Sequence, residues 1–244
     1  MPEELEESLQ SLINRAVVYS DPGVSLETAV IDLPVPQPAD GEVLVRLYYS
    51  GVCHTDVSFC LNALPGLGVP TPKARYVTPI PDNLDLAAAA PLMCGGVTVY
   101  TALRKAGLRP GDWVAVFGAG GGLGHLGIQY AKAMGGRVIA LDVGSKKEFC
   151  LGQAADKFID ITQFGVDEDL AAKVKSLSNG GVPAKTGNRV DVKECLNLAA
   201  RGFIKCHYQI RKMSELTNAS EISPIVEQIG ILIVFRAILD LDGM

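Results

Sequence analysis

Apolar and polar residues alternate in two different rhythms along this chain. Up to about residue 50 the apolar stretches are short. Arg15–Ser20, Glu27–Leu33 and Glu42–Tyr49 are rich in Val, Leu, Ile and Tyr, and each predicts a strand. Asp21-Pro22-Gly23 and residues 34–41 separate them, with the Pro, Asp and Gly that favour turns. Residues 61–82 are dense in Pro and Gly, with Ala74–Thr78 as one candidate strand. Leu84–Ala90 begins a helical pattern that Pro91 interrupts, and Val97–Ala106 resumes it.

A different rhythm then takes over. Trp113–Phe117 is a continuous apolar run of strand length, followed by a glycine-rich turn and then by Leu126–Met134 at helical spacing. Arg137–Leu141, Lys146–Leu151, Phe158–Ile161 and Asp167–Leu177 repeat strand and helix. Such alternation predicts a parallel sheet with crossover helices, hence an α/β fold. Beyond Ser178 the pattern weakens, although Val192–Gly202 is helical in spacing. The apolar run Ile229–Leu239 is too short to cross a bilayer and predicts a buried strand or short helix. A strand there would cover the open edge of the half-length sheet, making Ile225–Leu239 a partial replacement for strands the chain lacks.

The remaining bulk properties narrow the class. With 244 residues, 48% of them hydrophobic, the chain can build one large core or two small ones. Its net charge is −5 and it has no dense basic run, which argues against nucleic acid as a partner. Four glutamates among the first ten residues do not make a secretory leader. The expectation is a cytoplasmic protein with no membrane partner. Six cysteines are scattered without a Cys-x-x-Cys pair, which argues against a disulfide framework.

Chemistry is concentrated in the turn Gly118-Ala119-Gly120-Gly121-Gly122-Leu123-Gly124, between a predicted strand and helix. Small residues there let the backbone approach a pyrophosphate, and the helix start attracts its charge. A strict Gly-x-Gly-x-x-Gly match falls at Gly122, Gly124 and Gly127, partly inside the helix. An expanded turn using Gly120, Gly121, Gly122 and Gly124 suits the context better. Asp142, 18 residues after Gly124 at the end of the next strand, is placed to take ribose hydroxyls and repel a 2′-phosphate, which favours NAD over NADP. Lys147 is within reach of the same ribose. His125 is read as an ordinary helix residue and His207 as an exposed one.

Two further stretches, Gly51-Val52-Cys53-His54-Thr55-Asp56 and Pro91–Tyr100, complete a pattern together with Glu42–Asp56, Arg75–Ala102, Gly118–Met134 and Arg137–Asp142. These blocks resemble the zinc-type medium-chain alcohol dehydrogenases, in particular the fungal and bacterial tetrameric ones; so do residues 186–189 and Val192–Lys205. The resemblance implies a GroES-like catalytic domain remnant over residues 1–95, a truncated Rossmann-like NAD-binding domain over 96–205, and a divergent tail over 206–244. It implies Cys53 and Cys94 as zinc ligands, and His54 and Thr55 beside the cofactor and the reacting alcohol, with Thr55 passing the proton outward. Gly121, Gly122, Leu123, Asp142 and Lys147 match cofactor contacts. The implied cofactors are NAD and zinc, the substrate a small alcohol or aldehyde, and the assembly a homo-oligomer.

The chain departs from that family in several places. No Gly-His-Glu motif lies between Asp56 and Pro91, the four-cysteine lobe of the structural zinc is absent, and Ser58 stands where some members have a relay histidine. The second half of the sheet is also missing from the sequence. An NAD-dependent dehydrogenase is therefore weighed against a non-catalytic truncated remnant and against a zinc-free NAD(P)H-dependent reductase.

Overall fold

A computed structural model describes residues 14–18, 28–37, 39, 44, 47–52, 56, 58, 61, 78–164, 170–177 and 189–210. The chain divides into two units: described residues up to Leu61 belong to the first, those from 78 to Tyr208 to the second. In the first unit, β1 (Asn14–Val18) pairs antiparallel with β2 (Ala29–Leu33). Arg15 stands opposite Asp32 in the register, and the two form an exposed ion pair at 3.2 Å. The described residues of the expected strand Glu42–Tyr49 carry no strand. The stretch Ala74–Thr78 lies outside the described residues except for Thr78. The tail from residue 211 onward lies outside them altogether.

The second unit starts with a helical run. Asp85 caps α1 (Leu86–Pro91), its carboxylate accepting the Ala88 N–H at 2.9 Å. Pro91 does not stop the run as expected. The chain widens into a π turn at Leu92–Gly96 and continues as α2 (Val97–Lys105). Proline lacks the N–H of the helix ladder and its ring crowds the carbonyl one turn back. A π turn directly after it absorbs that break and keeps the axis going. By length and composition Leu86–Lys105 could cross a membrane. In this fold Ala89, Leu92, Tyr100 and Leu103 from that run are buried in the core. The expected boundary at residue 95 falls inside this continuous run.

The sheet is parallel, in the order β3 (Trp113–Phe117), β4 (Arg137–Asp142), β5 (Lys157–Asp160). Helix α3 (Gly124–Ala133) connects the first pair and α4 (Lys147–Gly152) the second. Then follow α5 (Leu170–Leu177) and α6 (Arg189–Ala200). Successive side chains of β4 point to opposite faces. Val138 and Ala140 pack with Leu126, Ile128, Tyr130, Leu92 and Leu196. Ile139 and Leu141 pack on the other face with Ile159, Leu170, Val174 and Leu177. The near-continuous apolar character of β4 follows from burial on both faces. Tyr130 ties α3 to α6, its hydroxyl lying 2.8 Å from Cys195 Sγ and 3.2 Å from the Cys195 carbonyl.

After α6 the chain returns over α3 and α4. Gln129 holds this returning segment, its Nε2 donating to the Lys205 carbonyl at 3.1 Å and its Oε1 accepting the Lys205 N–H at 2.7 Å. The residues expected to open the divergent tail, Cys206 and His207, thus pack within the second unit.

Candidate functional site

The site forms where β3 gives way to α3. Gly118 has φ +60°, a left-handed conformation that lets the chain turn sharply at the end of the strand. Gly121 N–H donates to the Gly118 carbonyl at 2.9 Å, and Ala119 N–H reaches across to the Leu141 carbonyl at 3.2 Å. Gly124 then packs so closely that a methyl group on it would collide with the Gly118 carbonyl oxygen and lie 2.6 Å from Ala119 Cα. The strand end and the start of α3 are thus pressed together at Gly124, with no room there for a side chain. The opening N–H groups of a helix have no partner within it, so this surface suits an anion.

Asp142 is joined to the turn directly. Its Oδ2 accepts the Gly120 N–H at 2.7 Å and its Oδ1 accepts the Val143 N–H at 2.7 Å. A carboxylate offers about four acceptor positions, so one on each oxygen remains for a further donor such as a ribose hydroxyl. Lys147, expected near the ribose, lies exposed at the first turn of α4. Its neighbour Lys146 is the one packed on the turn: a methyl on Gly120 would lie 2.9 Å from Lys146 Cβ. The Lys-Lys doublet is the signal in the sequence, but it does not say which lysine faces the turn. Asp160, in register with Asp142 on the next strand, is held by its own loop. It accepts from Thr162 Oγ1 at 2.6 Å and Thr162 N–H at 3.0 Å, and these bonds depress its pKa.

Cys94 lies exposed on the π turn. That turn abuts the glycine turn, since a methyl on neighbouring Gly95 would sit 3.4 Å from both Leu123 and Leu126 side chains. Gly120, Gly121, Leu123, Gly124 and Asp142 are therefore gathered in one place, with the Cys94 turn beside them. Cys53, His54 and Thr55 lie outside the described residues. Of the other described cysteines, Cys150 and Cys195 are buried and Cys206 is half-buried; desolvation pushes the thiols of Cys150 and Cys195 up to about 11 and that of Cys206 up to about 12. Thiols so raised stay protonated and are poor metal ligands. No cluster of three or more His, Cys, Asp or Glu side chains that could hold a metal occurs among the described residues. The described donors thus do not fit a zinc ion, which takes at least three protein ligands in catalytic sites.

Both histidines of the second unit occupy positions the sequence did not reveal. His125 is 1% exposed, and His207 is half-buried rather than exposed. Their rings meet edge to face at 5.4 Å, with Phe149 packed against both. His125 Nδ1 lies 2.9 Å from the Gly121 carbonyl, and its Nε2 accepts the His207 backbone N–H at 3.3 Å.

No family model matches the chain. It is 30% identical to alcohol dehydrogenase 2 of Emericella nidulans, over 84% of this chain and 92% of that protein. That alignment spans 339 positions, more than the 244 residues present here, so the relative carries segments that this chain lacks. Among solved structures it is similar in fold to acetophenone reductase from Geotrichum candidum in complex with NAD. The TM-score is 0.70 at 20% identity, covering 95% of this chain and 98% of that one. The cobalt- and zinc-bound thermostable alcohol dehydrogenase of Pyrobaculum aerophilum superposes with a TM-score of 0.66 at 21% identity, over 91% and 99% of the two chains.

Proposed function

The chain belongs to the zinc-type medium-chain alcohol dehydrogenase family and is an alcohol dehydrogenase-like oxidoreductase, and we propose that it uses NAD to act on a small alcohol or aldehyde. One observation carries the cofactor reading: the Asp142 carboxylate is fixed to the glycine turn by the Gly120 N–H at 2.7 Å with acceptor capacity to spare. In the proposed complex, Gly120, Gly121, Gly122, Leu123 and Gly124 form the surface on which the pyrophosphate sits; the Gly120 and Gly121 N–H groups shape that turn through Asp142 and the Gly118 carbonyl. Asp142 accepts ribose hydroxyls, while Lys146 and Lys147 supply positive charge next to it. Bound NAD supplies the hydride acceptor. His54 and Thr55 keep the roles implied by the family resemblance, with Thr55 carrying the alcohol proton outward.

NADH fluorescence titration tests this reading. NADH should bind saturably and in preference to NADPH. Asp142→Asn keeps one acceptor oxygen but removes the charge that repels a 2′-phosphate. The ratio of the two affinities should therefore fall toward one, since damage to the turn itself weakens both cofactors alike. Loss of a charged hydrogen bond costs about 1.5–3 kcal/mol, roughly tenfold or more in NADH affinity. Equal affinity for NADH and NADPH in the parent protein would remove Asp142 from the site.

A zinc-free reductase is the second reading, favoured by the donor set. The whole chain has three histidines, and both described ones are engaged with each other and with backbone. Elemental analysis separates the two. Stoichiometric zinc lost in both Cys53→Ser and Cys94→Ser supports the metal enzyme. Its absence from the parent supports the zinc-free reaction.

A further inference from the structure

The cofactor turn is held from behind by a histidine that does not face the cofactor. The Gly121 carbonyl accepts two bonds from residue 125, the backbone N–H at 3.0 Å and ring Nδ1 at 2.9 Å. Nε2 of the same ring meets the His207 N–H, which can only donate. Nε2 is therefore the acceptor, and Nδ1 carries the proton it gives to Gly121. The Gly121–Gly122 peptide is trans. Fixing its carbonyl toward His125 turns the Gly122 N–H to the opposite side. That N–H belongs to the turn assigned above to the pyrophosphate.

We propose that His125 is a positioning residue for the pyrophosphate turn, orienting the Gly121–Gly122 peptide through its Nδ1–H, and that the segment 203–208 holds the ring in that place and tautomer only while Nε2 is unprotonated. A second proton would go on Nε2 and place a donor against the His207 N–H. Burial holds the His125 pKa below its ordinary value, with His207 lowering it further, while the backbone oxygens of Gly121 and Gly122 oppose them. Burial, and then Lys205, lower His207 as well. The other titratable groups on the elements packed around the pair are Tyr130 and Lys132 on α3, and Lys146, Lys147, Glu148 and Cys150 at α4. Cys206 and Tyr208 lie on the returning segment. With a lowered folded pKa, the stabilisation is complete above the unfolded histidine value of about 6.5 and is lost as pH falls through that value toward the lowered one.

The proposal rests on the cofactor reading, and two readouts keep the two apart. The first is NADH titration from about pH 8 downward through about pH 6.5 to the lowest pH at which the melting curve still shows folded protein, because folded His125 gains its proton below the ordinary histidine value. Affinity in the parent should weaken on acidification, by at most about tenfold per pH unit. His207→Gln should keep that slope, because the contact comes from the backbone. His125→Asn, whose amide can donate where Nδ1 does, should retain alkaline affinity and flatten the slope. His125→Leu, folded by its melting curve, should bind weakly throughout. A parent slope retained in His125→Asn, or full affinity in folded His125→Leu, overturns the proposal. The second readout is hydrogen exchange, which needs no cofactor. Protection of the His207 amide should fall in acid in the parent and be low at every pH in His125→Leu; equal protection in both overturns the idea. If NADH does not bind the parent at all, the cofactor reading fails and the exchange result alone decides this one.

Discussion

Replacing Gly124 by alanine would test the geometry of the turn most directly. The added methyl meets backbone on every side: the Gly118 carbonyl oxygen, Ala119 Cα at 2.6 Å and Ala119 C at 2.8 Å. No side-chain rotation relieves such contacts, so the turn itself must move. Overpacking of this kind costs about 1–3 kcal/mol, and backbone against backbone belongs at the upper end. Alanine regains up to about 1 kcal/mol of helix propensity over glycine, leaving a net loss of about 2 kcal/mol. Gly127 is the control. A methyl there finds only Val116 Cγ1 at 3.6 Å, an ordinary contact, within the same helix. Gly127→Ala should therefore be neutral or up to about 1 kcal/mol stabilising. The two variants should differ by about 3 kcal/mol, or roughly 6–12 °C in Tm for a chain of this size. NADH affinity should fall about fivefold in Gly124→Ala alone if half of that loss, about 1 kcal/mol, is felt at the pyrophosphate. The same pair decides which glycines form the motif, since the strict spacing includes Gly127 and the expanded turn does not. Equal melting points, or greater damage from Gly127→Ala, would refute the close packing described here.

Two other sites give independent checks. Asp156 accepts from Lys132 Nζ at 2.8 Å and from the Val138 N–H at 2.6 Å. Partial burial raises its pKa, but these bonds outweigh that and leave it lowered. Its stabilisation is therefore present above the ordinary carboxylate range and lost as pH falls through the lowered value. Asp156→Asn should cost about 1–2 kcal/mol at neutral pH and flatten the acid limb of a stability–pH curve; an unchanged limb would show that the pair contributes nothing. Thr101 is fully buried in α2 and its Oγ1 has no hydrogen-bond partner among the described residues. Thr101→Val keeps the shape and should raise stability by about 1 kcal/mol in urea unfolding, whereas a loss would mean the hydroxyl has a partner after all.

The β3–α3–β4 unit was legible because each signal there is local. A continuous apolar run, a glycine cluster and a helical repeat stand in the order the fold uses them, and the observed ends differ from the expected ones by a residue or two. The run 86–105 was split at Pro91, since a π turn leaves no mark in periodicity. It simply shifts the register of the buried face between Ala89 and Tyr100. The histidine pair was illegible for a different reason. His125 and His207 are far apart in sequence, and a single histidine says nothing about burial until the returning segment is seen against α3. The Lys146-Lys147 doublet does not tell which lysine packs on the turn, because one residue of difference at a helix start changes the side-chain direction by about a quarter-turn.

The three-stranded parallel sheet of the described residues also bears on which half of the proposed cofactor this chain can hold. The described hydrogen bonds that join the glycine turn to Asp142 come from β3, the turn, α3 and the end of β4, one strand–helix–strand unit, with Lys146 packed on it from the start of α4. In doubly wound folds this unit binds the adenosine half and pyrophosphate, while the strands beyond the first contribute to the nicotinamide half. Among the described residues the parallel sheet has three strands, with β3 and β5 at its edges. The alignment with the Emericella enzyme is longer than the chain, so segments of that relative have no counterpart here. Binding free energy should then reside almost wholly in the adenosine half. ADP-ribose, which lacks the nicotinamide, should compete with NADH at an affinity within about threefold, a difference below about 0.7 kcal/mol. Competition against NADH fluorescence measures this directly. If ADP-ribose binds more than about tenfold more weakly than NADH, the nicotinamide finds partners elsewhere in the chain, and the adenosine unit alone does not account for cofactor binding.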